Sequence, residues 1–242
     1  MRSSKCNFSA IDGVSRTGLS RLCYDLDLLS TYMSASTPTS LLSAPQGPPN
    51  PRAKERILAA AYDLFSRHGI RAVGIDAIIE QSGVARMTLY RHFSCKEQLV
   101  LAFLEQRAQF WSSGWLQAEV MRRGATARDR LLAIFDVFAE WFRVEGFEGC
   151  TFINVMLETP NPDDRIRRAS VEYLERIRQF IAQLAGEAGI HDRDGFARKW
   201  HILMKGAIVS AGEGDREAAA RAREIGALVL DDALAHAAAS PR

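Results

Sequence analysis

The chain has 242 residues, with 47% hydrophobic residues, 25% charged residues and a formal net charge of +2. These values are ordinary for a globular protein with a sizeable core, and they exclude a general binder of polyanions, so any nucleic-acid surface must be a local patch. No apolar run reaches the length of a membrane span, and the N-terminus lacks the continuous apolar stretch of a signal peptide.

The cysteines Cys6, Cys23, Cys95 and Cys150 have no paired short spacing, so the sequence indicates neither a zinc site nor a disulfide framework. We therefore expect a cytoplasmic protein with no metal, no cofactor and no membrane partner.

Residues 1–50 differ in composition from the rest of the chain. They are rich in Ser and Thr and end in a segment, 45–51, that is dense in proline. Proline at this density prevents a helix and favours an extended linker, so residues 1–50 are predicted to be a disordered N-terminal extension. An alternative is that translation begins at Met33 and that the preceding residues are an artefact of an upstream start codon.

Helical periodicity dominates residues 52–111. The first predicted helix ends at Gly69, the second ends near Ser82, and the third is anchored by Leu89 and Phe93. The fourth, Ser94–Trp111, opens with Ser94 and Glu97 in the spacing of a capping box.

Residues 82–93 read as the end of one short helix, a tight turn at Gly83 and a second short helix with a polar face. A helix of this kind fits the major groove of DNA. The surrounding residues, 51–111, hold nine Lys and Arg against six Asp and Glu, an excess larger than that of the whole chain. The sequence therefore predicts a helix-turn-helix DNA-binding domain at 51–111.

Longer helices are predicted in residues 112–242, and no strand pattern is present. Thr126 and Asp129 form the start signal of one helix, and Thr159–Pro162 breaks the chain after a short apolar segment. The predicted elements are Arg128–Val144, Phe152–Leu157, a long helix from Asp163 or Asp164 to Gly186–Gly189, Asp194–Val209 and Arg216–Ala238. The predicted fold is all-α, with a three-helix helix-turn-helix domain followed by a larger helical domain.

An ordered set of motifs between Arg52 and Phe103 resembles the TetR-type transcriptional regulators. The set comprises Ile57-Leu58-Ala59-Ala60-Ala61, Leu64-Phe65, His68-Gly69, Gly83-Val84, Thr88-Leu89-Tyr90-Arg91-His92-Phe93 and Lys96-Glu97-Gln98-Leu99. The resemblance implies an all-helical regulator whose C-terminal domain, 112–242, binds a small molecule and dimerises through its last two helices. It also implies a palindromic operator, read by two symmetry-related recognition helices.

The function implied is a ligand-released repressor that binds double-stranded DNA as a homodimer. The alternative is a helical sensor or interaction protein of the same fold that acts as an activator or without a small-molecule inducer. The residues expected to contact DNA lie on the second helix of the motif and just after it. Arg86, Met87, Thr88 and either Arg91 or Tyr90 are placed to reach base edges. Lys96 resembles the family's phosphate-binding lysine. The expected DNA contacts are Arg86, Met87, Thr88, Tyr90, Arg91, His92 and Lys96.

Three positions depart from the family pattern. Gly74 and Ala85 stand where the family usually has Ser or Thr, and Met87 stands where it often has Gly or Pro. Ala85 offers no side-chain cap, a loss of about 0.5–2 kcal/mol. Met87 instead offers an apolar group for a thymine methyl.

An apolar or amphipathic effector is expected to bind among aromatic side chains of the C-terminal domain. Asn154, Tyr173 and His201 are candidate polar groups there, and a purely structural role is the alternative for each. The expected lining is Trp111, Trp115, Phe138, Trp141, Phe142, Phe152, Asn154, Tyr173, Trp200 and His201.

Two other classes of function compete with a regulator. An enzyme is disfavoured because the chain has no nucleophile elbow, phosphate loop or metal-ligand spacing. A helical interaction protein that binds no DNA is disfavoured by Arg86, Arg91 and Lys96 on one face.

Overall fold

The computed structural model describes residues 51–239, and within them every regular element is a helix. The predicted N-terminal extension, 1–50, and Met33 lie outside the described residues. The elements are α1 (Pro51–Ala72), α2 (Ile75–Ser82), α3 (Arg86–His92), α4 (Lys96–Arg107), a π-helical segment (Ala108–Leu116), α5 (Gln117–Arg123), α6 (Ala127–Trp141), α7 (Thr151–Glu158), α8 (Arg165–Glu187), α9 (Arg193–Gly212) and α10 (Ala218–Ala239).

Glycines end the first two helices as the sequence predicts. α1 breaks at Gly69, whose backbone has φ 79° and ψ 160°, before a short helical end that reaches Ala72. α2 ends at Gly83, which adopts the left-handed conformation with φ 61° and ψ 28°. Because side chains disfavour positive φ, glycine is the residue suited to both places.

Aspartates start the longer helices. Thr126 and Asp129 form a complete capping box, in which the Asp129 N–H donates to Thr126 Oγ1 at 3.1 Å. Asp164 caps α8 by accepting from the Ile166 N–H at 2.7 Å. α9 begins earlier than predicted, because Asp192 rather than Asp194 is its cap.

The predicted capping box of Ser94 and Glu97 is wrong. α4 begins at Lys96 behind an extended Cys95, and the Ser94 N–H donates to Gln98 Oε1 at 2.9 Å. Glu97 is instead paired with Arg165 of α8, with 2.8 Å between Oε1 and Nη1.

None of the helices predicted from the sequence accounts for the chain between the end of α4 and the start of α6. It continues from α4 through the π-helical segment into α5, so the predicted boundary at residue 111 falls inside a helical stretch. Residues 51–143 and 147–239 belong to one compact unit whose buried residues form one core cluster. The division into two domains at residue 111 therefore stays a prediction from the sequence.

Helix packing places the N-terminal bundle, α1–α3, beside the larger helical body. α1 contacts α2, α3, α4 and α7, while α8 packs against α4, α6, α7 and α9, and α10 covers α6 and α9. α7 is thus the short helix that lies between α1 and α8.

Candidate nucleic-acid interface and ligand cavity

The recognition helix α3 is anchored by apolar side chains and exposes its opposite face. Leu89 is 0% exposed and Phe93 is 4% exposed, whereas Met87 is 74% exposed. Tyr90 is also exposed, so α3 presents a mixed polar and apolar surface to solvent. A helix held in this way can enter a major groove without losing its own packing.

The start of α3 has no side-chain cap, as Ala85 predicts. The extended backbone of Ala85 leaves its carbonyl to accept the first hydrogen bonds of the helix, from Thr88 N at 2.9 Å and Leu89 N at 3.1 Å. Gly74 likewise precedes α2 without a side-chain cap. The orientation of α3 therefore depends on its buried anchors and on the preceding turn.

Arg56 of α1 supports that turn. Its guanidinium donates to the Ser82 carbonyl, and a Cβ added at Gly83 would lie 2.7 Å from Arg56 Nη2. Ser82 is buried, and its hydroxyl donates to the Ile79 carbonyl at 3.2 Å. Arg56 is a positioning residue that the sequence did not single out, because its role depends on a contact 26 residues away.

The expected DNA contacts do not all have the same surroundings. Arg86, Met87, Tyr90 and Arg91 are exposed, while Thr88, His92 and Lys96 are half-buried. Arg86 forms an ion pair with the carboxylate of Asp76 in α2. A base or phosphate that takes Arg86 must compete with Asp76.

Burial changes the chemistry of two of these groups. Desolvation, followed by the charges of Arg91 and Lys54, lowers the pKa of His92, whose Nε2 is buried without a partner in the described chain. Desolvation also lowers the pKa of Lys96, and the nearby Glu158 opposes that shift. His92 is therefore neutral at neutral pH and adds no positive charge to the surface.

Most of the aromatic side chains expected to line one pocket are joined by ring contacts, since Phe135 links Phe138, with 6.2 Å between ring centroids, to Trp200. Trp111 and Trp141 have ring centroids 4.5 Å apart, and Trp115, Phe138 and Phe142 pack around them. Trp200 is 0% exposed, in the packed core. The remaining contacts are Trp200 with Phe135 and Phe196, and Phe152 stacked on Tyr173.

A small apolar cavity of about 10 Å³ lies beside the Trp111 group, room for a single water at most. Trp111, Phe138 and His201 are the predicted residues that line it, and Trp111 Nε1 has no hydrogen-bond partner in the described chain. Asn154 instead lines a separate cleft. Lining residues outside the expected set are Cys150, Ile153, Leu174, Ile177, Met204, Lys205 and Ile208. Five of these residues lie on α8 and α9, where their helical spacing of three or four residues was the signal that the sequence offered.

The cavity wall includes a buried, neutral histidine. Desolvation, with smaller contributions from Lys205 and Arg178 against Glu175, lowers the pKa of His201 from 6.5 to about 4. Cys150 is also buried, and desolvation raises the pKa of its thiol. At neutral pH the cavity therefore contains no charged histidine or thiolate.

Neither a membrane helix nor a metal cluster is found between residues 51 and 239. No helix there is long and apolar enough to cross a membrane, and no group of three or more His, Cys, Asp or Glu residues could hold a metal ion. Cys95 is exposed and Cys150 is buried, both as free thiols, while Cys6 and Cys23 lie outside the described residues.

A helix-turn-helix bundle joined to a helical body with an aromatic cavity defines the class of helix-turn-helix transcriptional regulators. Residues 57–103 match the family model described as bacterial regulatory proteins, tetR family. A TetR-family transcriptional regulator from Streptomyces coelicolor is similar in structure, with 30% identity and a TM-score of 0.68 over 75% of this chain and 96% of that one. The chain belongs to the TetR family.

Curated relatives are similar over shorter stretches. The HTH-type transcriptional activator FasR of Mycolicibacterium smegmatis is 34% identical over 93 residues, which are 38% of this chain and 42% of FasR. The HTH-type transcriptional regulator QacR of Staphylococcus aureus is 31% identical over 67 residues, 28% of this chain and 36% of QacR. The chain thus spans less than half the length of either relative.

The burial of His201 predicts a loss of stability in acid. His201 binds a proton near pH 6.5 in the unfolded chain and near pH 4 in the folded chain. Its contribution to the free energy of unfolding is therefore complete above pH 6.5 and is lost as the pH falls toward 4. Acidification from about pH 7 to about pH 4.5 should lower the free energy of unfolding by ~2 kcal/mol through His201.

Urea unfolding at a series of pH values measures this contribution. His201→Gln should remove that part of the pH dependence, whereas His191→Gln, at an exposed site, should retain it. An unchanged pH dependence in His201→Gln would contradict the assignment, whatever the stability of that variant at neutral pH.

Proposed function

We propose that the chain is a cytoplasmic, homodimeric repressor that binds a palindromic operator and is released from it by a small apolar or amphipathic ligand. The observation that carries the proposal is the recognition helix, exposed at Met87, Tyr90 and Arg91 and anchored by Leu89 and Phe93. Membership of the TetR family supports DNA binding. The excess of Lys and Arg in residues 51–111 supports the assignment of the DNA-binding surface to this part of the chain.

DNA binding would combine phosphate contacts with reading of base edges. Arg86 and Arg91 have the forked donors that fit a guanine edge or a phosphate, and Met87 can contact a thymine methyl. Lys96, at the start of α4, would contact the phosphate backbone of the DNA. Asp76 would contribute to specificity for the DNA sequence. Only a DNA site that binds Arg86 more strongly than Asp76 does would take this arginine out of its ion pair.

The exposed apolar face of α9 and α10 supports dimerisation. Ile202 is 70% exposed and Leu228 is 72% exposed, and Val209 and Ile225 are also exposed on these two helices. Ile202 and Val209 are seven residues apart, or two helical turns, so they share one face of α9. Two such pairs of helices related by a two-fold axis would form a four-helix bundle.

Ligand release would be a shift between two states of the dimer. An effector that opens the cavity at Trp111 would displace the π-helical segment and α4, which leads back to Lys96 and the recognition helix. The effector must bind the released state more tightly than the DNA-bound state, or it changes no population.

Activation is the second candidate function. The relative FasR is named a transcriptional activator, and it aligns with this chain at 34% identity over 93 residues. An activator would use the same recognition helix and the same cavity, but its effector would favour the DNA-bound state.

The DNA contacts are tested by the double substitution Tyr90→Ala and Arg91→Ala. Fluorescence anisotropy with double-stranded DNA from upstream of the chain's own gene should show at least about tenfold weaker binding and a salt slope reduced by about one. Arg168→Ala, which removes an exposed arginine from α8, is the matched control for net charge. Equal affinity of the double variant and the parent would rule out these contacts, and a parent that binds no DNA would favour the interaction-protein alternative.

The dimer face is tested by Leu228→Glu. A buried carboxylate at a two-fold interface is costly, so light scattering during size-exclusion chromatography should report a shift from two chains toward one. Leu157→Glu is a matched control, because Leu157 lies on α7 and is 70% exposed, against 72% for Leu228. A Leu228→Glu variant that remains dimeric at micromolar concentration would refute this interface.

The effector is tested by a thermal-shift screen of apolar and amphipathic compounds on the full chain. A compound that raises the melting temperature is expected to weaken DNA binding over the same concentration range, because both effects follow from one population shift. Tighter DNA binding would identify an activator, and stabilisation without any change in DNA affinity would contradict coupling between the sites.

A further inference from the structure

A second and larger cleft opens between α1 and α7, away from the aromatic cavity. Its volume is about 370 Å³, within the usual range of small-molecule sites. Phe65, Ser66, Arg67 and Gly69 form the α1 wall. The opposite wall is formed by Glu148, Thr151, Asn154, Val155 and Glu158.

Two donors of this cleft, the Arg67 guanidinium and the Asn154 amide, are already committed to partners. Arg67 forms an ion pair with Asp63, with 2.7 Å between Nη2 and Oδ1. Asn154 Nδ2 donates to the Glu148 carbonyl oxygen at 2.8 Å, which leaves Asn154 Oδ1 as an acceptor. The other side-chain donors that line the cleft are the neutral hydroxyls of Ser66 and Thr151, so no uncommitted cationic donor lines it.

The acceptors are less fully used. Glu158 Oε2 accepts from the Arg71 N–H at 2.8 Å, and no described donor bonds to its Oε1. The Glu148 carboxylate receives no hydrogen bond from residues 51–239. Ser66 Oγ, in the α1 wall, also lacks a partner within that range.

The surroundings of Glu148 compensate its negative charge only in part. Desolvation raises the pKa of its carboxyl group, and Asp63 acts in the same direction. The charges of Arg107, Arg67 and His68 oppose that shift without cancelling it. A cation placed in the cleft would supply the missing counter-charge and hydrogen bonds.

We propose that the cleft between α1 and α7 is a binding site for a small organic amine. Its ammonium group would donate to Glu148, Glu158 and Asn154, and its short alkyl chain would lie against Phe65 and Val155. The site needs neither the aromatic cavity nor DNA, so it is independent of the proposed regulator function.

The class of ligand follows from charge and shape. An anion would face two carboxylates and find Arg67 already paired, while a neutral alcohol would leave the Glu148 charge uncompensated. Because the whole chain carries a formal net charge of +2, diffuse attraction of cations to the protein surface is weak. Measurable binding of an amine would therefore report a specific site.

Isothermal titration of the full chain without DNA tests the proposal with 1,4-diaminobutane as the probe. We expect a dissociation constant of about 1 mM or lower for the parent and no heat of binding from the neutral analogue 1,4-butanediol. Glu148→Gln should weaken diamine binding by about tenfold or more, because it removes one charged acceptor. Glu158→Gln should also weaken it while retaining an acceptor for the Arg71 N–H.

Glu172→Gln is the matched control, an exposed carboxylate of α8 outside the cleft. Circular dichroism confirms that each variant is folded before titration. The proposal is overturned by the absence of diamine binding to the parent at up to about 10 mM. It is equally overturned by equal affinity of the parent and Glu148→Gln, by loss of binding in Glu172→Gln, or by equal binding of the diol.

Discussion

A carboxylate placed on the break in the first helix determines where the N-terminal bundle meets the helical body. A Cβ added at Gly69 would lie 2.8 Å from Glu158 Oε1 and 2.9 Å from Oε2, and the same carboxylate accepts the Arg71 N–H. Glycine is therefore favoured at residue 69 by its positive φ, and a side chain there would also displace the Glu158 carboxylate. Because α1 also carries Arg56, which supports the turn before α3, the end of α7 and that turn both contact α1, on opposite sides of the break at Gly69.

α7 has a different environment on each side. Ile153, with Cys150 just before the helix, lines the small apolar cavity, while Asn154 and Val155 line the larger cleft beside α1. α7, a helix of eight residues, therefore contributes side chains to both linings. In the regulator proposed above, α7 and α4 would be two routes from the cavity to the DNA-binding surface.

Local signals in the sequence were sufficient for most of the fold. Gly83, the Thr126 and Asp129 capping box, and Asp164 were all predictable, because each acts on backbone within a few residues. The π-helical segment and α5 were not predicted, and Glu97 was misassigned because its partner is Arg165, 68 residues away. The cavity was the hardest part, since an aromatic side chain such as Trp200 looks the same in sequence whether it lines a space or fills a core. Glu158 and Gly69 could not be connected from the sequence, because their contact depends on tertiary packing alone.

The small size of the aromatic cavity has a consequence for the sensitivity of the regulator proposed above. With about 10 Å³ of space, the cavity admits no organic molecule until the rings around Trp111 separate. For any effector, the apparent dissociation constant is then the intrinsic one divided by the fraction of molecules that are open. Substitutions that loosen the ring cluster would therefore lower the effector concentration that triggers a response, without touching the effector or the DNA. In a sensor of this design, the tightness of packing between tryptophans is the quantity that sets the threshold.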